Sequence, residues 1–167
     1  MKDNQPNPVS TDTSSSLSSE QSRVSLFWSW LWSSGGTSTR SGDALLALTR
    51  CVFGLSMALA HGLHKLPPSD RFIEVIGELG FPLAAFFAWC AGLAEAVGGL
   101  LLALGISTRL MAFFLVQTML VAVFLQHGSD PFKKMELGLL YGTTFLLIMG
   151  VGGGRYSIDY WLSSSSK

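Results

Sequence analysis

Charge is what this sequence has least of. Only 13% of its 167 residues are Asp, Glu, Lys or Arg, against about a quarter in an ordinary soluble domain. Acidic and basic residues number 11 each and cancel, so the chain carries no electrostatic footprint for nucleic acid. Cysteine is scarce too. Cys51 and Cys90 each lie inside an apolar stretch and form no CxxC pair, so they read as small packing residues and not as a redox motif. Antiparallel helices would hold them at different depths, which argues against a disulfide between them. No haem or flavin fingerprint is present. Three glycines, Gly152-Gly153-Gly154, follow no strand and precede no Gly-Lys-Ser/Thr, so they are not a phosphate loop. No HxxEH or HExxH spacing occurs, and no metal site is expected.

What the chain has instead is long hydrophobic runs. They fall in four blocks, roughly Asp43–Leu63, Pro82–Leu104, Arg109–Gln126 and Met135–Val151. Each approaches the ~20 residues that a helix needs to cross ~30 Å of hydrocarbon. A soluble bundle would need a polar face on every helix, and Phe113 to Phe124 offers only Gln117 and Thr118. The expected fold is therefore all-α, an integral membrane four-helix bundle over residues 43–162. Residues 1–42 are rich in Ser, Thr, Asn and Pro. They bury too little apolar surface to fold alone and are expected to be disordered, as are residues 163–167. The start is polar and does not read as a secretory signal. Within that tail, residues 26–32 carry Trp28, Trp30 and Trp32, a composition suited to the membrane–water interface.

Glu95 sits about halfway along the second block, which has no other charge. An unpaired charge in hydrocarbon costs at least ~2.5 kcal/mol, so an intramembrane carboxyl is a functional candidate by default. Gly92, Gly98 and Gly99 share its face and let a neighbouring backbone come close. In the first block Arg50, Gly54, Met57 and His61 fall at offsets of four, seven and eleven and so share one helical face. Either Arg50 or His61 could supply the cation that Glu95 needs. His64 and Lys65 follow. Leu66-Pro67-Pro68 stops that helix, and Ser69-Asp70 can cap a short amphipathic helix carrying Phe72, Ile76 and Leu79, ended by Gly80 and Pro82. Such a helix would lie on the membrane surface between the first two spans.

Four spans put both termini on one side. That side holds Lys2, Arg23, Arg40, Arg109, Arg155 and Lys167; the other holds Lys65, Arg71, Lys133 and Lys134. The positive-inside rule then favours cytoplasmic termini in a multi-pass protein of the cell's inner membrane. Arg50, Arg109, Arg155 and Asp159 gather toward the terminal side. His61, Lys65, His127 and Glu136 gather toward the other, with Glu95 between. Arg155 and Asp159 stand at i, i+4, and Tyr156, Tyr160 and Trp161 suit an interface.

Taken together, these residues resemble the DoxX family of small four-helix membrane proteins. The resemblance runs from about Leu45 to Leu162. It rests on Arg50, His61-Gly62 and Lys65; on Phe72 and Leu79-Gly80-Phe81-Pro82; and on Ala91-Gly92-Leu93-Ala94-Glu95 with Gly98-Gly99. It continues through Gly105, Thr108-Arg109, His127, Glu136 and Gly154-Arg155-Tyr156-Ser157-Ile158-Asp159. The Ser- and Trp-rich tail lies outside it. The family name comes from a subunit of a thiosulfate:quinone oxidoreductase, and other members look like parts of membrane assemblies that handle thiol or quinone stress.

The resemblance thus implies a component of a quinone-linked oxidoreductase system. Glu95, Arg50 and His61 are its catalytic candidates. Lys65, Arg109, His127, Glu136, Arg155, Tyr156 and Asp159 are its binding candidates. Phe113, Phe114 and Phe124 could line a ring pocket. No cofactor is encoded in a motif; a quinone is the implied one, and electrons would come through it or a redox protein partner. A non-catalytic anchor or assembly subunit is the alternative, and a small transporter or channel the third reading. The bilayer is the expected surrounding, and a homo-oligomer is compatible with the sequence.

Overall fold

The computed structural model describes residues 13–31 and 33–165. Residues 1–12, Trp32 and residues 166–167 lie outside it, and with them the ends of both expected tails and the third tryptophan of the interfacial run. The chain divides into two units, residues 1–31 and 32–167. In the first, Thr13–Leu31 forms helix α1 inside the stretch expected to be an unfolded tail. Its Phe27, Trp28 and Trp30 are exposed.

The second unit is all-helical, apart from an isolated antiparallel bridge between Gly35 and Gly152. Among the described residues, four helices are long and apolar enough to cross a membrane: Arg40–Lys65, Ala84–Leu104, Thr108–Gln126 and Phe132–Val151. The first begins as α2 (Arg40–Ser56), with the Thr39 hydroxyl accepting from Gly42 N. It widens into a π-helical turn at Met57–Gly62 and tightens at Leu63–Lys65. The short helix α3 (Asp70–Glu78) is capped by Ser69, whose Oγ accepts from Phe72 N at 3.3 Å. Helix α4 (Ala84–Leu104) holds Glu95. Helix α5 (Thr108–Leu120) also ends in a π-helical turn, Val121–Gln126. Helix α6 (Phe132–Val151) and the short α7 (Ile158–Ser165) complete the unit.

Large apolar side chains face outward on every span, among them Leu48, Leu59, Leu93, Phe124 and Leu147. Lipid is as apolar as these groups, so burial alone gives the helices no reason to associate, and close packing must do so. Small residues supply it. Gly54 on α2 and Gly99 on α4 face each other so closely that a Cβ on Gly99 would lie 2.7 Å from Gly54 O, and one on Gly54 would lie 2.6 Å from Gly99 O. Farther along, Gly62 rests on the backbone of Glu95 and Ala96. Met57, Leu102, Leu115, Met119, Tyr141, Phe145 and Ile148 fill the space between the spans.

This contact predicts a sharp difference between two glycines. Gly99→Val should destabilise the bundle by about 3 kcal/mol, because the colliding atoms are backbone and cannot swing away. Gly150→Val, where a Cβ meets nothing within 4 Å, should leave stability within about 0.5 kcal/mol. Detergent-titrated unfolding followed by circular dichroism measures both.

Candidate functional site

Polar side chains are buried at two places in the bundle, and the two are built differently. The first is the terminal end, at which the first span begins and the fourth finishes. Arg50 is 1% exposed. Its guanidinium donates to Gly153 O, to Tyr156 O at 2.8 Å and to Ala103 O at 3.4 Å. Asp43 is also buried; it accepts from Thr37 N at 2.6 Å and from the Thr37 hydroxyl, and it pairs with Arg155 at 3.3 Å. Asp159 caps α5 from a distant part of the chain. Its carboxylate accepts from Ser107 N, Thr108 N and Thr108 Oγ1 at 2.7–2.8 Å. Arg109 donates to Val151 O at 3.3 Å. Residues 34–36 strap this end shut through Gly36 N to Val151 O and Gly154 N to Ser34 O. Gly105 makes the geometry feasible: its φ is +75°, and a Cβ there would meet Arg50 Cζ at 2.8 Å. These charges hold loops and helix ends that lipid cannot satisfy.

The second place is the middle of α4. Glu95 is 1% exposed, and its Oε1 lies 2.6 Å from Lys65 Nζ. Its cation is therefore Lys65, not Arg50 or His61. Arg50 is level with Ala103, eight residues or about 12 Å along α4 from Glu95. His61 instead sets its ring edge-on to Tyr141, with centroids 5.6 Å apart. Lys65 reaches the carboxylate because the first span stops beside Gly92, whose missing side chain admits Leu66 and the Lys65 carbonyl. The ammonium also stands 5.5 Å from the centre of the Phe72 ring on α3. The second oxygen, Glu95 Oε2, has no hydrogen-bond partner among the described residues. Buried polar atoms in that condition are rare and mark sites where water, an ion or a ligand belongs.

Two cavities meet at this pair. One, of about 360 Å³, lies among α3, α4 and α5 and is mostly apolar. Phe72, Phe81, Phe87 and Phe114 line it, with Gln117, Thr118 and Gln126 as polar points. The other, of about 290 Å³, runs among the first, third and fourth spans. Its wall carries His61, Gln126, His127, Lys134 and Tyr141. Lys65, Phe72, Glu95, Ala122 and Gln126 belong to both. At the far end, His127 Nδ1 lies 2.8 Å from Asp130 Oδ2, and Lys134 donates to Oδ1 at 3.1 Å. The hydrogen bond with His127, and then that from Lys134, holds the Asp130 carboxyl below its ordinary range.

Of the sequence-derived candidates, Glu95, Lys65, His61 and His127 come together here. Arg50, Arg109, Arg155, Tyr156 and Asp159 belong to the opposite end. Arg155 and Asp159 do not pair as a helical i, i+4 couple, because Arg155 lies in the turn before α7 and reaches Asp43 instead. Glu136 is exposed and lines neither cavity. Of the three phenylalanines expected around a ring, only Phe114 lines the larger cavity. Phe124 borders an outer groove between α5 and α6, and Phe113 faces outward. Tyr141, Gln126 and Phe72 were not singled out as site residues. Lys65 as Glu95's partner had a signal: it extends the Arg50–Gly54–Met57–His61 stripe by one further step of four.

The family model described as DoxX matches residues 45–128. Among curated proteins, the chain is 36% identical over 139 residues to the uncharacterized membrane protein Rv3486 of Mycobacterium tuberculosis, covering 73% of this chain and 83% of that protein. It is 28% identical over 121 residues to CatD of Bacillus subtilis, named as a candidate oxidoreductase, covering 72% of this chain and 88% of the relative. No solved structure matches the chain.

Two outcomes follow from the geometry. The side chain of Glu95 is 2% exposed, whereas that of Lys65 is 33% exposed. Lys65→Met should therefore cost about 3 kcal/mol by stranding a buried carboxylate. Glu95→Gln should cost much less, because the remaining ammonium can turn toward the cavity. Pairing Lys65→Met with Glu95→Gln should recover most of the loss, read by the same unfolding titration. At the other end, the lowered Asp130 pKa means its pairing stabilises the 127–131 turn above the free carboxylate value of about 4. That stabilisation disappears as pH falls through the lowered folded value. The protection of this turn's amides, relative to their intrinsic exchange rates, should hold from pH 8 to about 5 and be lost only as pH falls below the free carboxylate value of about 4, while Asp130→Asn should lack that protection throughout.

Proposed function

The chain belongs to the DoxX family of membrane proteins, and from that premise we propose that it is the quinone-side component of a membrane oxidoreductase system. The observation that carries this reading is the Lys65–Glu95 pair on the wall of the 360 Å³ cavity. Four phenylalanines give an aromatic ring a flat apolar seat. Lys65 offers a positive donor to one ring carbonyl, and Glu95 offers a carboxyl whose Oε2 is uncommitted. Reducing a quinone to a quinol takes two electrons and two protons. The chain has no flavin, haem or dithiol motif, so the electrons come from a partner redox protein that oxidises a thiol or thiosulfate. With a quinone bound, Glu95 would hold and hand on protons and Lys65 would offset negative charge on a ring oxygen.

CatD carries an oxidoreductase name, which agrees in class with this reading. The missing electron-carrying motif also favours a second one, in which the chain only anchors such a partner. The excess of basic residues on the terminal side supports cytoplasmic termini, in keeping with a place in the cell membrane.

Purification in mild detergent from native membranes, with quinone extraction and mass spectrometry of companions, separates these readings. The quinone reading expects near-stoichiometric quinone together with a redox protein. Glu95→Gln should keep both but lower donor-to-quinone turnover by about 100-fold, the scale of a lost general acid–base group. A redox companion without quinone, and turnover unaltered in Glu95→Gln, would leave the anchor.

A further inference from the structure

The smaller cavity touches the same carboxyl but has a different character. It runs from Glu95 toward the turn at residues 127–131, which lies at the end of the bundle where the third span finishes and the fourth begins. Its titratable and polar groups come from each of the packed spans. His61 and Lys65 stand on the first, Glu95 on α4, Gln126 at the end of the third with His127 just after it, and Lys134 and Tyr141 on α6. Asp130 closes the series by binding both His127 and Lys134. At ~30 Å³ per water, about 290 Å³ holds several molecules.

The backbone supplies an independent observation. Both π-helical turns of the unit, Met57–Gly62 and Val121–Gln126, border this cavity. Met57, His61, Ala122, Val123 and Gln126 of its wall come from them. Such turns widen a helix locally and recur at functional sites.

We propose that this smaller cavity is a water-filled proton path that connects the membrane face bearing His127 with Glu95, lined by His61, Gln126 and Tyr141. It rests on the reading of Glu95 as a proton-handling group, and it adds the side from which the protons come and the residues that pass them. The proton moves from bulk water at His127 along ordered waters to Glu95 Oε2, the oxygen that Lys65 does not hold. A hydronium at the mouth gives up its proton, each ordered water accepts one and releases another, and the carboxylate becomes a carboxylic acid. His61, seated on Tyr141, is a positioning residue that orients water beside the pair.

Thiol accessibility tests the path without reference to turnover. In full-length protein with Cys51 and Cys90 replaced by serine, Met57→Cys places a thiol on the cavity wall at a position 1% exposed. Leu59→Cys, on the outward face of the same turn, is the lipid-facing control. In oriented vesicles a charged, membrane-impermeant methanethiosulfonate should modify Met57→Cys from the His127 side at least about tenfold faster than Leu59→Cys. Equal rates, or reaction only from the terminal side, would overturn the path. A second arm follows protonation of Glu95 after a downward pH jump by infrared difference spectroscopy, with Glu95→Gln assigning the carboxylic-acid band. His61→Phe keeps a ring against Tyr141 and should slow the rise of that band several-fold; an unchanged rise would remove His61 from the path. A wet cavity in a protein that binds no quinone would refute the quinone reading alone. A dry cavity in a protein that binds quinone would refute the path alone.

Discussion

A carboxylate about 16 Å inside a membrane helix needs a cation within reach, and much of this bundle is arranged around that need. Lys65 meets Glu95 at 2.6 Å only because the first span ends beside the middle of α4. That early stop is made possible by Gly92, which leaves room for Leu66. The short α3 then leads on to α4. Its apolar side, with Phe72 and Ile76, becomes one wall of the larger cavity. A single ion pair thus ties together the length of the first span, the glycine on α4 and the position of an amphipathic helix.

The two buried polar regions differ in what their charges bind, although each holds a buried oxygen without a hydrogen bond among the described residues, Asp43 Oδ2 in one and Glu95 Oε2 in the other. At the terminal end, Arg50 spends its donors on three carbonyls, and Asp159 accepts three hydrogen bonds at the start of α5. A low-dielectric network satisfied to that degree is rigid. At the other end Glu95 keeps an unbonded oxygen, Lys65 is partly exposed, and two π-helical turns interrupt regular packing. Rigidity in the first region lets the second remain open without loosening the bundle. This division also explains why charges that look alike in the sequence differ in use. Arg50 and Glu95 are both buried and both intramembrane, but one closes loops and the other faces a cavity.

The four spans were legible because long apolar runs have few other interpretations. Ser69 as a cap and the short helix after it were legible because capping is local chemistry. The face shared by Arg50, Gly54 and Met57 was legible from helical spacing, and all three are buried. What lay beyond the sequence depends on contacts across the chain. Asp159 caps a helix that begins 51 residues earlier, and residues 34–36 bind residues 151–154. No local pattern announces either. The π-helical turns are equally silent, since Met57–Gly62 and Val121–Gln126 read as ordinary helix by composition. Pairing Glu95 with Arg50 failed for a geometric reason. Both face inward, but sharing a face says nothing about depth, and they stand about 12 Å apart along α4.

Depth is also why the pair sits where two cavities join. A quinone ring is held best where water is excluded, because electrostatic contacts strengthen there. The protons it takes up must nevertheless come from water. One cavity cannot be dry enough for the first purpose and wet enough for the second. Two cavities sharing a wall can be both, provided the wall contains a group able to change protonation. Glu95 has one oxygen held by a cation and another without a protein partner. The Lys65 contact fixes the carboxyl's orientation while leaving one of its oxygens able to bind and release a proton. On the proposed reading, the ion pair would be the barrier between the two cavities as well as the means of passing a proton through it.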